Sequence, residues 1–382
     1  MASKGRYLKQ KEKKSMGKGK KIALIIGIVV AALLLALVIG VVCWYNGMLN
    51  LITRPEPTEK DLTPEELEEI LNYNPDAGKE TTMAVETTAE PTTEPTTVPT
   101  EPDYSKTGKI INIMLVGQNY RDGEYSKLSD TMILCTVNRE TNTLTLTSFL
   151  RDLYVKLPNY KGHTCGKQRI NVAYNLGWHW GGELGGMEML SQCIYENFGV
   201  EIDHSVEINF DDFIQLIDTM GGIEIELSET EAKYLTEDPH NEGEFEAGLA
   251  TLDGDSALAY ARMRKSAADD NDFKRTERQK KVITEIVNKV RGMSLSELNE
   301  LLKTILPMVI TDMSNDDITT YMVELLPMLT NLKIESHQCP AEGTYSGQMV
   351  DIGGYPSGVL VPNLQKNREL LMAIAEETET AE

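Results

Sequence analysis

The residues best suited to chemistry in this chain are arginines. Val282, Ile283, Ile286, Val287 and Val290 recur at helical spacing and mark a core-facing helix face. Steps of three and four backwards along that face reach Gln279, then Arg278 and Arg275. Guanidinium groups thus occupy the inward side of the helix's N-terminal end. Buried there without anionic partners they are costly. Beside the free N–H groups of a helix N-terminus they are suited to holding phosphate. Ion pairing with Asp269, Asp270 and Asp272 satisfies the same pattern, so the stripe alone leaves both readings open. Five His and five Cys, widely scattered, offer no zinc site and no Cys–His nucleophile pair.

The elements that must position these side chains are legible in outline. Residues 131–137 and 143–148 read as strands flanking the polar turn 139–142, a β-hairpin. With those four residues as the loop, paired positions sum to about 281, which sets Asp130 opposite Arg151 at the open end. Residues 110–116 form another strand. A strand at 206–210, a helix at 211–220, the Gly221–Gly222 cap and a strand at 223–227 predict a crossover unit, hence a mixed sheet with helices on its faces. Residues 253–260 read as a short capped helix running into Arg262-Met-Arg264, and 186–198 and 295–308 as further helices. The expected fold is α/β, a central mixed sheet flanked by helices, over residues 108–376. Its core spans 108–291, a C-terminal part 292–376, and an acidic tail 377–382 follows.

Composition is that of a globular protein, 41% hydrophobic and 25% charged, which excludes wholesale disorder. The net charge of −22 is unevenly spread. Residues 1–21 carry nine Lys/Arg against one Glu, whereas residues 46–107 carry fourteen Asp/Glu against four Lys/Arg. Between them, Ile22 to Tyr45 runs 24 residues without a charge, long enough as a helix to cross a bilayer of roughly 30 Å. Lys18, Lys20 and Lys21 before it and Trp44 and Tyr45 at its end predict a retained single-pass anchor. The basic tail is then cytoplasmic and the rest extracellular. Valine at 41 and 42 argues against signal-peptide or lipoprotein cleavage at Cys43. The basic run sits against a membrane span, so nucleic acid is not an expected partner. Residues 46–107 are expected to be an extracellular stalk, with a short acidic helix around 63–71 and a Thr/Pro/Glu run at 87–102.

Five stretches occur together and in order: Ser129-Asp-Thr-Met-Ile133, Ser148-Phe-Leu-Arg-Asp152, Arg169-Ile-Asn-Val-Ala-Tyr174, Leu252 to Arg264, and Asp272-Phe-Lys-Arg-Thr-Glu-Arg-Gln279. This series resembles the LytR-CpsA-Psr family of bacterial cell-envelope proteins. The resemblance runs well from Lys109 to about Lys289 and more loosely to about Asn367. It implies a phosphotransferase that moves a glycopolymer from a polyprenyl (undecaprenyl) pyrophosphate carrier to peptidoglycan. It further implies pyrophosphate binding by Arg151, Arg262, Arg264, Arg275 and Gln279, a Mg²⁺ ligand in Asp130 and an orienting acid in Asp272. Arg169 stands where a Lys is common, keeping the charge, and with Arg278 completes the expected pyrophosphate-binding set. Arg151, Arg262 and Asp272 are the residues expected to carry catalysis. Splitting a pyrophosphate needs charge neutralisation and positioning more than covalent help, which suits several arginines plus a hard cation, Mg²⁺ or Mn²⁺ in its place.

The sequence departs from the family pattern at three places. Gly117-Gln-Asn-Tyr-Arg121 has Asn119 where a second metal-binding Asp is usual; its amide oxygen ligates without charge and cannot serve as a base. Leu128 stands in place of an Arg, and Leu150 in place of a Pro. Two rival functions follow: a hydrolase releasing the group to water, and a lipid-binding envelope protein without turnover, which Asn119 favours. Cys135 is expected to be a buried core thiol, and Cys165, Cys193 and Cys339 allow no deducible pairing. His163 and Cys165 read as a loop coincidence. Trp178-His-Trp180 reads either as a packed loop or as a sugar-stacking surface, and Gly181 to Gly186 lacks the ending of a P-loop. Oligomeric state and the identity of the glycopolymer are not legible.

Overall fold

A computed structural model describes residues 47–56, 58–72, 109–118, 128–159, 163–239, 241, 243–263 and 272–376. Two compact units divide the chain after Asn50. In the first, residues 47–49 form a helical turn, and the apolar span Ile22 to Tyr45 lies outside the described residues. Among the described residues no helix is long and apolar enough to cross a membrane.

The second unit begins with helix α1 (Pro64–Asn72), followed by β1 (Ile110–Gln118), β2 (Ser129–Asn138), β3 (Thr143–Phe149), β4 (Tyr154–Lys156) and β5 (Lys167–Arg169). Next come α2 (Asn171–Phe198), β6 (His204–Asn209), α3 (Phe210–Thr219), β7 (Ile223–Leu227), α4 (Glu229–Glu237), β8 (Gly248–Leu252), α5 (Gly254–Arg262) and α6 (Asp272–Gly292). The chain finishes with α7 (Leu295–Ile305), β9 (Ile310–Thr311), α8 (Asn315–Leu325), β10 (Lys333–Cys339), the hairpin β11 (Tyr345–Ile352) and β12 (Tyr355–Pro362), and α9 (Leu364–Glu376).

The central sheet is mixed and six-stranded, in the order β10-β3-β2-β1-β6-β9. Strands β1, β3, β6 and β10 run in one direction and β2 and β9 in the other. The central strands are buried on both faces, as strands covered by helices on both sides must be. On one face Met114, Val116, Met132, Leu134 and Phe149 pack with Val172, Ala173 and Tyr174 of α2. On the other, Ile111, Ile133, Cys135 and Leu146 meet Ile283 and Val287 of α6 and Tyr321 of α8. Cys135 is a core thiol whose pKa burial pushes up. The apolar stripe of α6 is shared between two cores, because Val282 and Ile286 face a second cluster around Ile217, Ile225, Leu235 and Tyr260.

The predicted crossover unit does not form. Strand β7 leaves the central sheet and pairs with β8 as a two-stranded ribbon. Its burial alternates strictly along Ile223-Glu-Ile-Glu-Leu227, so it has one apolar face and one wet face. A strand with Glu224 and Glu226 on one side cannot lie where both faces are covered. It instead roofs the second core with α3, α4 and α5.

The region around Trp178 is helical, neither a loop nor an open aromatic surface. Helix α2 is broken at Gly181 and Gly182, the latter at φ +64°, so its two halves double back on each other. Gly177 and Gly185 meet there: a Cβ on Gly177 falls 2.1 Å from the Gly185 carbonyl oxygen. Trp180 is buried and stacks with His163 at 6.1 Å, and the Trp178 indole donates to Glu183.

The proposed stalk is shorter than its composition suggests. Residues 51–72 belong to the folded unit. Thr63 and Glu66 form a reciprocal cap on α1, with Pro64 at its first position. Leu62, Leu67 and Ile70 then join the main core. Arg54 donates to the Met313 carbonyl at 2.8 Å, tying the segment to the far side of the sheet. Three apolar residues in an acidic stretch were enough: α1 presents Leu67 and Ile70 to one side, and Leu62 packs from just before the helix. The Thr/Pro/Glu run at 87–102 and the tail 377–382 lie outside the described residues.

Candidate active site

The parallel strands β1, β3, β6 and β10 all end on one side of the sheet, and the candidate site lies beyond those carboxyl ends, where open α/β sheets characteristically bind ligands. The hairpin register sums to 281 from Ile133↔Ser148 to Asn138↔Thr143, as the turn predicted. Against β1 the ladder slips: Gly117 faces Thr131 but Gln118 faces Ser129, which leaves Asp130 as the extra residue of a bulge. Bulges re-aim side chains, and this one turns Asp130 toward Arg151 just beyond β3. Arg151 Nη1 lies 3.2 Å from Asp130 Oδ1, and its Nε lies 3.2 Å from Asp272 Oδ2. Asp272 opens α6, where the free N–H groups favour a carboxylate, and it also pairs with Arg275 at 3.3 Å.

A second acid completes the cluster. Asp152 lies 3.6 Å from Arg151 Nε and 3.4 Å from Arg169 Nε, so it joins Arg169 to the site. Arg169 is held further by the Gly358 carbonyl of β12 at 3.3 Å. Burial raises the Asp152 carboxyl to about 6 against the pull of Arg151, and neighbouring Asp272 adds to the rise. Three guanidinium groups and three carboxylates therefore share a half-enclosed volume. An incoming polyanion competes with these carboxylates for preoriented N–H donors.

The remaining predicted residues fall around this cluster in different ways. Gln279 reaches the sheet and donates to Thr131 Oγ1 at 2.9 Å, beside the Asp130 bulge. Arg262 ends α5 with its guanidinium 4.8 Å from the Phe210 ring centroid, exposed at the end of β6. Arg278 is buried but faces the second core, with Nε 2.8 Å from Glu231 and Nη1 3.0 Å from the Met263 carbonyl. It holds the end of α5, and thus Arg262, against α6. Asn119 and Arg264 lie outside the described residues. Of the ion pairing that the sequence offered as the alternative, the part with Asp272 is present beside the arrangement suited to phosphate. Asp269 and Asp270 lie outside the described residues.

Sequence reasoning did not single out Asp152, Glu231, Gln118 or Asn171. Asp152 was signalled only by adjacency to Arg151. Glu231 reads as a helix-capping residue, which it also is, closing a box with Ser228. Gln118 and Asn171 carry no charge and sit within apolar runs.

Among the described residues no group of three or more His, Cys, Asp or Glu is placed to hold a metal. Asp130 presents one hard oxygen-ligand group at the rim of the Arg cluster, its side chain 24% exposed. That donor set suits Mg²⁺, which commonly takes one or two carboxylates and fills its remaining positions with phosphate oxygens and water.

A family model described as the LytR_cpsA_psr family matches residues 75–359. The chain belongs to this family. The match begins after α1 and ends in β12, so it contains the whole Arg–Asp cluster. Among the family's curated relatives, the polyisoprenyl-teichoic acid–peptidoglycan teichoic acid transferase TagU of Oceanobacillus iheyensis is 32% identical over 231 residues, 59% of this chain and 67% of that protein. TagU of Bacillus subtilis is 32% identical over 207 residues, 54% of this chain and 61% of its own length. Biofilm regulatory protein A of Streptococcus mutans is 30% identical over 262 residues, 67% of this chain and 59% of that one. The chain thus spans 59–67% of the length of these relatives. Solved structures share the family fold. One from Streptococcus agalactiae has a TM-score of 0.57 at 24% identity, covering 72% of this chain and 89% of that one. TagT bound to LIIa-WTA has a TM-score of 0.54 at 24% identity, covering 74% and 94%.

Proposed function

We propose that this chain transfers a glycopolymer-phosphoryl group from a polyprenyl (undecaprenyl) pyrophosphate carrier to peptidoglycan at the outer face of the membrane. The residues 22–45 would anchor it there, with the basic tail inside. The observation that carries this reading is Arg151 held between Asp130 and Asp272, with Arg275 and Arg169 fixed through Asp272 and Asp152. Transferase names among the relatives support it.

In this reading the guanidinium groups exchange carboxylate partners for pyrophosphate oxygens. The ring of aspartates keeps each guanidinium oriented before substrate arrives, so little reorganisation accompanies charge build-up. Arg151 lies nearest both carboxylates and would meet the phosphoryl group in transit. Arg275 and Arg169 would hold the flanking oxygens, and Arg262, exposed at the end of α5, would close on them from the β6 side. Asp130 would hold Mg²⁺, which neutralises phosphate charge when bound. Asp152, whose carboxyl burial raises to about 6, is the carboxylate able to hold a proton near the reacting oxygens.

The test is transfer of labelled sugar from polyprenyl-pyrophosphoryl sugar to peptidoglycan fragments, with and without Mg²⁺ and acceptor. Arg262→Ala should lose about a hundredfold in transfer while circular dichroism stays unchanged. Unchanged transfer in the folded variant sinks the assignment. Release to water at the same rate without acceptor makes the chain a hydrolase instead.

A further inference from the structure

A second polar feature at the same end of the sheet is left unused by this chemistry. Gln118 ends β1 and continues the buried alternation of Met114 and Val116, so its side chain points to the α2 face. It is 0% exposed, yet neither its Oε1 nor its Nε2 has a hydrogen-bond partner among the described residues. Asn171 opens α2, is 3% exposed, and its Oδ1 also has no partner among them. The two belong to one neighbourhood. Ser129, the ladder partner of Gln118, donates its hydroxyl to the Asn171 carbonyl at 3.4 Å. One turn along α2, Tyr174 donates to Glu207, and Glu207 pairs with Val116, two residues before Gln118. The same spacing backwards sets Asn171 over the row of Gln118.

Buried polar atoms without partners are rare in folded proteins, and three in one place call for a ligand. Their types decide its chemistry. A cation would be served by Gln118 Oε1 and Asn171 Oδ1 but opposed by Nε2 beside them. A phosphate would accept from Nε2 but meet two acceptors that repel it. A group that both donates and accepts, a hydroxyl or an acetamido substituent, satisfies all three. Asp130, the bulged residue next to Ser129, sets these carboxamides at the same end of the sheet as the Arg151 cluster.

We propose that Gln118 and Asn171 form an uncharged subsite for the hydroxyl or acetamido groups of the sugar joined directly to the carrier pyrophosphate. This rests on the transferase reading above and adds to it: the arginines hold the charge, and the two carboxamides select the first sugar.

The experiment uses the full chain in detergent micelles and two probes, polyprenyl pyrophosphate and polyprenyl-pyrophosphoryl N-acetylhexosamine. Gln118→Met keeps the shape of the side chain and removes both polar atoms. It should bind the bare pyrophosphate as the wild type does and the sugar-bearing lipid about tenfold more weakly, the scale of one or two hydrogen bonds. Because those atoms have no protein partner, the variant's Tm without ligand should be unchanged or higher. Equal effects on both lipids, or no effect on either, overturn the subsite while leaving the transferase reading intact. A lowered Tm or loss of the fold shows the carboxamide to be structural and also overturns it. Failure of the wild type to bind either lipid removes the transferase reading, and the subsite with it.

Discussion

Two helices begin over the same end of the central sheet, and they begin in opposite ways. Helix α6 starts with Asp272 and Arg275, charged groups that find partners in Arg151 and in each other, and two turns on Gln279 donates to Thr131. Helix α2 starts with Asn171, Tyr174 and Asn175, uncharged and buried, and Asn171 and neighbouring Gln118 keep polar atoms unpartnered among the described residues. The difference follows from the cost of burial. A lone guanidinium inside a protein is too expensive to leave unpaired, so the α6 side carries its own counter-ions and binds anions by exchange. A carboxamide costs far less, so the α2 side tolerates open donors and acceptors.

Arg151→Ala breaks the charged side most severely. It removes the group between Asp130, Asp152 and Asp272 and leaves three acids facing one another. Transfer should fall by about 10² to 10³, read by product formation at saturating lipid. Unfolding free energy should fall by about 3 kcal/mol, read by urea denaturation. Arg151→Lys should restore much of the stability and little of the activity, because an ammonium lacks the fork that spans two carboxylates.

On the uncharged side the framework is steric. Gly177→Ala puts a Cβ 2.1 Å from the Gly185 carbonyl and 2.6 Å from Met189 Cβ, so the halves of α2 must part. Overpacking of this kind costs about 1–3 kcal/mol, which thermal unfolding would register. The start of α2 would move with it, so sugar-bearing lipid should lose more affinity than the bare pyrophosphate.

Proton linkage sharpens the contrast further. Asp152 has its pKa raised from 3.8 to about 6 by burial, so the native state keeps a proton that the unfolded state releases. Stability contributed at this position therefore declines as pH rises from about 4 through about 6, then levels off. Asp152→Asn should flatten that segment of a urea-midpoint profile; a profile unchanged by the substitution contradicts the assignment.

The smallest effect is expected at the opposite, amino end of β6. His204 lies 3.3 Å from Asp312, which raises its pKa above 6.5. That stabilisation is complete below the unfolded value near 6.5 and is lost as pH rises through the folded one. The wild type should lose its Tm advantage over His204→Gln between neutral and alkaline pH, with transfer unaffected because the pair lies away from the arginine cluster.

Much of the charged side was legible in the sequence. The turn at 139–142 set the hairpin register, and the register alone carried Asp130 to Arg151. The three-and-four spacing back from Val282 pointed Arg275 and Gln279 inward. It pointed Arg278 inward as well but could not say toward what, since α6 divides two cores and Arg278 faces Glu231 in the second. The stalk was misjudged at its start for a related reason. Composition averages over a stretch, whereas Leu67 and Ile70 are buried because α1 lines them up on one side, with Leu62 packing just before it.

By itself the sequence determined which groups would carry charge, the register that pairs Asp130 with Arg151, and the face of α6 that turns inward, because these depend on local periodicity and turn geometry. Only the tertiary structure decided that β7 leaves the sheet, that Asp152 bridges Arg151 to Arg169, and that Ser129, the ladder partner of Gln118, meets the start of α2. Those contacts join residues far apart in the chain, and their energies depend on what surrounds them: the one-sided burial of a ribbon, the desolvation of Asp152 beside Asp272, and a bulge that lets one carboxylate step out of the ladder.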